Sequence, residues 1–305
     1  MQPRMILDSV EQLFAAVQIQ NVQAKTYDIL YPQLKARQLI PVDTTPDPSD
    51  VITYMTYDKV GAAKIISSYA DDLPRVDIKA TPTQARVKSL GVAYGYNIQE
   101  IRLASKLGVD LESRRAAIAR DAFEVLVDTI GSTGNADYGL LGLLNQPNAQ
   151  TFTVPNGVTS GTTFWSNKSP DEILLDLNNF RGQVPNTTND IEDINAIAMP
   201  REQYTIISTI ARSPNSDTTI LEFFLKNNEG VTVTPWQKLK GAGASATDRM
   251  VGFRRDPNVL TLRIPQEFEQ LPAEKRNLEY VTDCHGRCAG VIVFRPMAII
   301  YADGI

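Results

Sequence analysis

Apolar residues recur at helical spacing through residues 4–30, where Ile6, Val10, Phe14, Val17 and Ile19 are separated by polar positions. The chain then reads YPQLKARQLIPV, and Pro41 with the following DTTPDPSD ends any helix. This opening stretch offers little for a core of its own and is expected to be an arm that packs on something else. Two extended tracts come next. DVITYMTYD (50–58) is rich in β-branched and aromatic residues. ARVKSLGVAYGYNI (85–98) alternates, with Val87, Ser89 and Gly91 on one face and Leu90, Val92, Tyr94 and Tyr96 on the other. Between them lie Gly61, Pro74 and Pro82. The pattern predicts a long hairpin with a broad tip. Such a ribbon has two wide faces and little nearby sequence to cover them, so distant parts of the chain or a neighbouring subunit must do so.

The strongest single pattern is DLESRRAAIARDAFEVLVDTI (110–130). Asp110 is a good N-cap, and Leu111, Ile118, Ala122, Val125 and Leu126 are expected to form the apolar stripe, with Arg114, Asp121 and Asp128 opposite. Gly131 and Gly134 are expected to stop the helix. At 1.5 Å per residue this spine would be about 30 Å long. GLLGLLNQPNAQTFTV (139–154) is turn-rich and leads into a strand, and PNGVTSGTTFWSNKS (155–169) reads as a polar loop. Ser169 caps a helix with Pro170 at its first position, running to about Phe180. INAIAMP (194–200) reads as a buried strand, and EQYTIISTIAR and TTILEFFLKN as further helices. VTVTPW (231–236), NVLTLRIP (258–265), and the pair LEYVTD (278–283) and GVIVFRPMAIIYA (290–302) read as strands. The class is α+β, with the last strands returning to a sequence-distant core.

Composition narrows what this fold can do. The 305 residues are 43% hydrophobic, enough to bury one large domain or two ordinary ones. Thirty Lys and Arg against 35 Asp and Glu give a net charge of −5, which argues against tight nucleic-acid binding through a concentrated positive footprint. Two cysteines, four apart, cannot make a disulfide framework, so a reducing compartment is expected. No stretch approaches the roughly 18 apolar residues of a membrane span. The N-terminus, MQPRMILDSVEQ, has an acidic residue at position 8 and no signal-type apolar core.

Candidate chemistry is sparse. Tyr69-Ala70-Asp71-Asp72 matches the metal box of reverse transcriptases, in which two carboxylates hold magnesium for phosphoryl transfer. Only 68 residues precede Tyr69, and the nearest upstream acid on a strand-like tract, Asp58, leaves no room for a nucleotide-binding fold. The alternative is an exposed acidic turn ended by Pro74. Cys284-His285-Gly286-Arg287-Cys288 contains zinc-ligand types, but a closed site needs four, and His285 is the sole histidine. Asp283 could be the fourth; the alternative is a hairpin turn at His-Gly-Arg between two strands. No G-x-S-x-G elbow, P-loop or G-x-G-x-x-G turn is present, and GAGAS (241–245) reads as a flexible loop. Glu192 and Asp193 lie in an asparagine-rich turn where a solvated surface is expected. No metal or cofactor is assigned.

The order of parts is helical arm, long hairpin, short helix, spine helix, mixed domain and closing strands. It resembles the HK97-type major capsid fold of tailed bacteriophages. YPQLKARQLIPV, YDKVGAAKIISSYADDLPRVDI, YGYNIQEIRLA and DYGLLGLLNQPN are similar to a family of phage major capsid proteins, at motif level from about residue 20 to 150 and by element order to 305. The resemblance implies an HK97-like α+β fold. Residues 1–45 would be the N-arm, 46–97 the extended E-loop and 98–150 the peripheral domain with the spine helix. Residues 151–270 would be mainly the axial domain, and 271–305 strands returning to the peripheral domain.

It further implies self-assembly into hexamers and pentamers of an icosahedral head around a tailed phage's double-stranded DNA genome, held without sequence-specific binding. A portal and a separate scaffolding protein are implied partners, with assembly in the bacterial host cytoplasm and no membrane. The arm and loop of this family reach across neighbouring subunits, which makes Tyr57, Asp58, Lys59, Lys64, Tyr69, Asp71, Asp72 and Arg75 the expected interface residues. Some members cross-link lysine to asparagine; Lys59, Lys64, Lys79, Asn145 and Asn148 lie near suitable places, but hairpin lysines serve solubility and edge protection. An encapsulin-like nanocompartment shell is the alternative of the same fold. A metal-dependent nucleotidyl transferase using Asp71 and Asp72 is the alternative of a different class.

Overall fold

A computed structural model of the chain describes residues 34–60, 77–107, 111–213 and 217–305. The helical arm expected over 4–30 lies outside them, as do Asp110 and the hairpin tip with Tyr69-Ala70-Asp71-Asp72. Residues 34–43 form a strap, in which the short helix α1 (Ala36–Leu39) precedes β1 (Val42–Asp43). β1 pairs in parallel with β9 (Leu260–Arg263).

The ribbon is made by β2 (Val51–Val60) and β3 (Asp77–Arg86), antiparallel and in unbroken register from Val51 opposite Arg86 to Val60 opposite Asp77. The expected return strand over 85–98 is therefore displaced. Only its first two residues belong to the ribbon, and β4 (Lys88–Asn97) joins another sheet, pairing along its whole length with β12 (Glu279–Cys288). The division falls at Val87, which is buried and whose N–H donates to the Asp50 carbonyl, closing the ribbon's base. Pro82 sits inside β3, where a two-stranded ribbon has a free edge for a residue without an N–H. Along β4 the alternation holds: Leu90 and Tyr96 are buried, Val92 and Tyr94 half-buried, and Ser89, Gly91 and Ala93 exposed.

β10 (Gln266–Gln270) and β11 (Glu274–Arg276) flank the other edge of β12. His285-Gly286-Arg287 is thus the middle of a continuous strand, not a turn. β12 is followed by β13 (Gly290–Val293), which pairs with β9 and not with β12. The two expected partners, 278–283 and 290–302, are divided among different sheets.

After the short helix α2 (Ile98–Leu107) comes the spine, α3 (Leu111–Thr133), about 35 Å long at 1.5 Å per residue. Its buried face is Ala119, Phe123, Val127 and Ile130, at helical spacing and turned away from the expected stripe. Ile118 is 67% exposed, and Ala122, Val125 and Leu126 are exposed beside it. The reason is Asp128, expected on the polar side but buried. Its Oδ1 accepts from the N–H groups of Lys35 (2.9 Å) and Ala36 (2.8 Å), and its Oδ2 pairs with Lys238 at 2.7 Å. A carboxylate so satisfied can face the core, and burying Phe123 and Val127 beside it contributes roughly 2 kcal/mol each. Gly131 lies inside the helix, where a Cβ would stand 2.9 Å from the Ala36 side chain; the helix ends before Gly134, at φ +70°.

The remaining sheet has the order β5 (Gln150–Thr153), β14 (Ile299–Asp303), β8 (Arg249–Phe253), β6 (Ala196–Met199), β7 (Thr232–Pro235). Both faces are buried, which explains the unbroken apolar run of β6. Ala196, Ala198, Val251, Phe253 and Ile299 face the core shared with the spine. Ile197, Met199, Met250, Ile300 and Ala302 face a second core under α4 (Pro170–Thr188), α5 (Arg201–Thr209) and α6 (Ile220–Asn227), filled by Trp165, Phe180 and Phe224.

α4 starts as expected, with reciprocal Ser169–Glu172 capping. It continues past Phe180 because Val184 is buried, and it closes where Asn189 turns left-handed at φ 51°. The 241–245 loop is not loose: Gly243 N–H donates to the Thr247 carbonyl (2.8 Å) and Ala244 N–H to Asp303 (3.0 Å).

Candidate assembly surface

The ribbon leaves the body with no third strand beside it among the described residues. A two-stranded sheet is marginal in water without a partner surface. Val51 and Met55 are exposed along it, as are residues 80–84 on the opposing strand. Tyr57, Asp58 and Lys59 lie on β2 opposite Ala80, Lys79 and Ile78. Lys64, Tyr69, Asp71, Asp72 and Arg75 fall outside the described residues. Three of the eight expected interface positions are thus placed on one stem.

Two fixtures meet the ribbon near its root. Arg287, on β12, donates from Nη2 to the Ser49 carbonyl (3.0 Å) and Asp50 Oδ1 (2.6 Å), and from Nη1 to the Asp47 carbonyl (3.2 Å). Further out, the Tyr54 hydroxyl donates to the Val293 carbonyl at 3.5 Å, and its ring meets Phe294 edge-on at 5.2 Å. Between these contacts and the body lies a cavity of about 340 Å³, lined by Thr83 and Arg86 of the ribbon and by Gly139, Gln146, Asn148 and Val291.

The strap approaches the same root under heavy charge pairing. Arg37 bridges Glu124 on the spine (Nε–Oε2 2.8 Å) and Glu267 on β10 (Nη1–Oε1 3.0 Å). Burial opposes its charge, but the two carboxylates outweigh burial and raise its pKa. Arg263 on β9 pairs with Asp43 at 2.5 Å. The acidic tract DTTPDPSD is tied to the body at its two ends, Asp43 by Arg263 and Asp47, Ser49 and Asp50 by Arg287.

Two further charged clusters escaped the sequence reading. Glu192 is buried, not solvated: its oxygens meet Arg295 at 2.7 Å and Arg254 at 3.2 Å, while Asp193 pairs with Arg181 at 2.9 Å. In the second core, Lys168 Nζ lies 2.6 Å from Asp176 Oδ2 and donates to the Pro155 carbonyl, and Trp165 Nε1 donates to the same Oδ2 at 3.2 Å. Burial pushes the Asp176 carboxyl up, against the pull of Lys168. Apart from the i, i+8 spacing of Lys168 and Asp176 across the Ser169 cap, the sequence carries no signal for these pairs.

Strand alternation separates the suspected zinc ligands. Cys284 and Cys288 are buried on one face of β12, while Asp283 and His285 are half-exposed on the other. No group of three or more potential metal-binding side chains occurs among the described residues. Burial raises the Cys288 thiol to about 11 and also pushes Cys284 up. Of the asparagines considered for cross-linking, Asn145 accepts the Gly142 N–H at 2.7 Å, and Asn148 borders the cavity under the ribbon.

A family model described as Major capsid protein matches residues 61–305. No curated protein matches the sequence. Among solved structures, the capsid of Myoviridae phage XM1 aligns with a TM-score of 0.81 at 18% identity, covering 95% of this chain and 98% of that one. The capsid of an empty GTA particle aligns with a TM-score of 0.67 at 12% identity, covering 98% and 99%. A virus-like particle from Pyrococcus furiosus aligns with a TM-score of 0.53 at 15% identity, covering 87% and 91%.

Proposed function

The chain belongs to the major capsid protein family, has the HK97-like fold and builds a head shell, and from that premise we propose how it does so. Copies associate as hexamers and pentamers into an icosahedral head that encloses the double-stranded DNA of a tailed phage. The observation that carries this reading is the ribbon of β2 and β3: ten paired residues a side, exposed apolar side chains, and no covering strand among the described residues. A neighbouring subunit supplies the missing surface. In this assignment residues 46–97 are the E-loop, and Tyr57, Asp58, Lys59, Lys64, Tyr69, Asp71, Asp72 and Arg75 make contacts between subunits. Residues 1–45 are the arm, 98–150 with α3 belong to the peripheral domain, and 151–270 mainly to the axial domain. The closing segment 271–305 is shared: β12 joins β4, β13 joins β9, and β14 enters the five-stranded sheet.

The role is structural, with no catalytic step assigned. The net charge of −5 suits a wall that holds DNA delivered by a motor without adhering to it. A portal, a separate scaffolding protein and assembly in the host cytoplasm complete the proposal.

Size-exclusion chromatography with electron microscopy of the expressed protein tests it. Closed shells of megadalton mass are expected, and a protein that stays monomeric at high concentration, with or without scaffold, overturns the reading. Shells in infected cells that carry a tail vertex and DNA exclude a nanocompartment. Magnesium-dependent nucleotide incorporation lost in an Asp71→Ala/Asp72→Ala protein that still folds would favour the transferase.

A further inference from the structure

Arg287 belongs to the Cys284–Cys288 stretch, whose metal-site reading the strand geometry removes. Its own contacts give it a different task. The guanidinium side chain is only 11% exposed, yet every hydrogen bond described for it goes to residues 47–50, the last turn of chain before β2 begins. Its ionic partner, Asp50, is 91% exposed, so the pair is no core element. Arg287 stands on β12 with a strand on each side, opposite Ser89 of β4 and Gln266 of β10. A planar guanidinium that grips two carbonyls and a carboxylate fixes direction as well as distance, and charge-assisted bonds of this kind are the strong ones.

The ribbon's other strand is anchored separately: β3 runs through the buried Val87 directly into β4, and Val87 N–H donates to Asp50 O. On the β2 side little besides Arg287 sets the direction. Tyr54 reaches Val293 only at 3.5 Å, and the cavity of about 340 Å³ leaves the ribbon's underside incompletely packed. We infer that Arg287 is a positioning residue that fixes the direction in which the β2–β3 ribbon leaves the body, and so where it meets the next copy of the chain. This rests on the assembly reading above. Arg287 is in neither apolar core, so its loss falls first on the ribbon's root, and a ribbon freed there visits the assembly-competent direction for only part of the time. Association weakens by that fraction, about tenfold if the fraction is a tenth.

The test uses the full chain, unassembled, with spin labels at Met55→Cys on the ribbon and Ile118→Cys on the spine, both exposed positions. Arg287→Ala is expected to keep the melting transition of the parent while broadening the label-to-label distance distribution, and, in the unlabelled chain without the cysteine substitutions, to lower shell yield about tenfold. Arg287→Lys, with one ammonium in place of the fork, is expected to fall between. A parent-like distance distribution in Arg287→Ala, or parent-like shell yield despite a broadened one, overturns the inference. Should Arg287→Ala fail to fold, Asp50→Ala removes only the exposed carboxylate and is expected to broaden the distribution; an unchanged distribution there overturns the inference equally. If the unmodified chain makes no shells in the same assay, the assembly reading fails, and the distance measurement still decides whether Arg287 directs the ribbon.

Discussion

Gly286 of β12 leaves the space that the ring of Phe123 on α3 occupies: a Cβ at Gly286 would stand 2.5 Å from Cε2 and Cζ of that ring. The spine helix therefore approaches the β4–β12 sheet at the one inward position on β12 without a side chain. Gly286→Ala is expected to cost about 1–3 kcal/mol of stability by overpacking. Adding Phe123→Leu should return part of that loss, and urea unfolding of the two single variants and the double reads it. Strict additivity would mean that the two residues do not share the space.

Lys168 and Asp176 are each nearly inaccessible, with side chains 1% and 3% exposed. Asp176→Ala strands the ammonium and deprives Trp165 Nε1 of its acceptor, with an expected loss of about 3–5 kcal/mol. Lys168→Met together with Asp176→Leu is expected to lose much less, because no charge is left buried. Denaturant titration of both proteins checks the order, and a double variant worse than Asp176→Ala would contradict it.

Asp303 receives Arg249 Nε at 2.6 Å and Nη2 at 2.8 Å, together with the Ala244 N–H. Burial works to raise its carboxyl, but these contacts prevail and hold it below the ordinary value of 3.8. A carboxyl depressed in the folded state contributes stability above its unfolded pKa, and that contribution fades as pH falls through the folded one. The stability gap between the parent and Asp303→Asn should be full near pH 6 and close in acid below about pH 4. A gap of constant size across that range would show that the charge contributes nothing.

The two thiols should be silent in the native subunit. Cys284 and Cys288 are 3% and 0% exposed, and burial raises Cys288 to about 11. A thiol reagent at pH 8 is expected to modify neither residue quickly in the folded protein and both after denaturation. Rapid native modification would place β12 at an opening edge.

Ile118, Val125 and Leu126 form an exposed apolar line on α3. Ile118→Gln is expected to change subunit stability by no more than about 0.5 kcal/mol, as surface substitutions do. If the line meets another copy, the same change lowers shell yield, which electron microscopy counts directly. Unimpaired shells would leave these residues to solvent.

Much of this architecture could be read from the sequence where the signal is local. The capping box at Ser169, the apolar run of β6 and the alternation of Leu90, Val92, Tyr94 and Tyr96 are set by neighbours in the chain. The failures share one cause. Asp128 looks like a solvent-facing residue until Lys35, Ala36 and Lys238 arrive from distant sequence to satisfy it, and the spine then rotates to bury it. Glu192 is brought inside by Arg254 and Arg295 in the same way. Gly286 resembles a turn residue, because its reason for being glycine is a phenylalanine on another element. The root of the ribbon was hidden for a similar reason, since the change of sheet at Val87 depends on the Asp50 carbonyl.

The five-stranded sheet has a temporal consequence. β14 lies between β5 and β8 in space, but it is the last of the five strands in sequence, with Ile299 coming 146 residues after Thr153. At about 5–20 residues per second, a ribosome needs roughly 7 to 30 s to bridge that gap. Until then β5 and β8 each keep an open edge, which is the kind of surface that pairs wrongly with another chain. Ile299–Asp303 acts as a keystone, so a nascent subunit stays sticky but unfinished from the completion of β5 at Thr153 until Ile299 is added. The rate at which this strand inserts then sets the competition between productive closure and aggregation in a crowded cell.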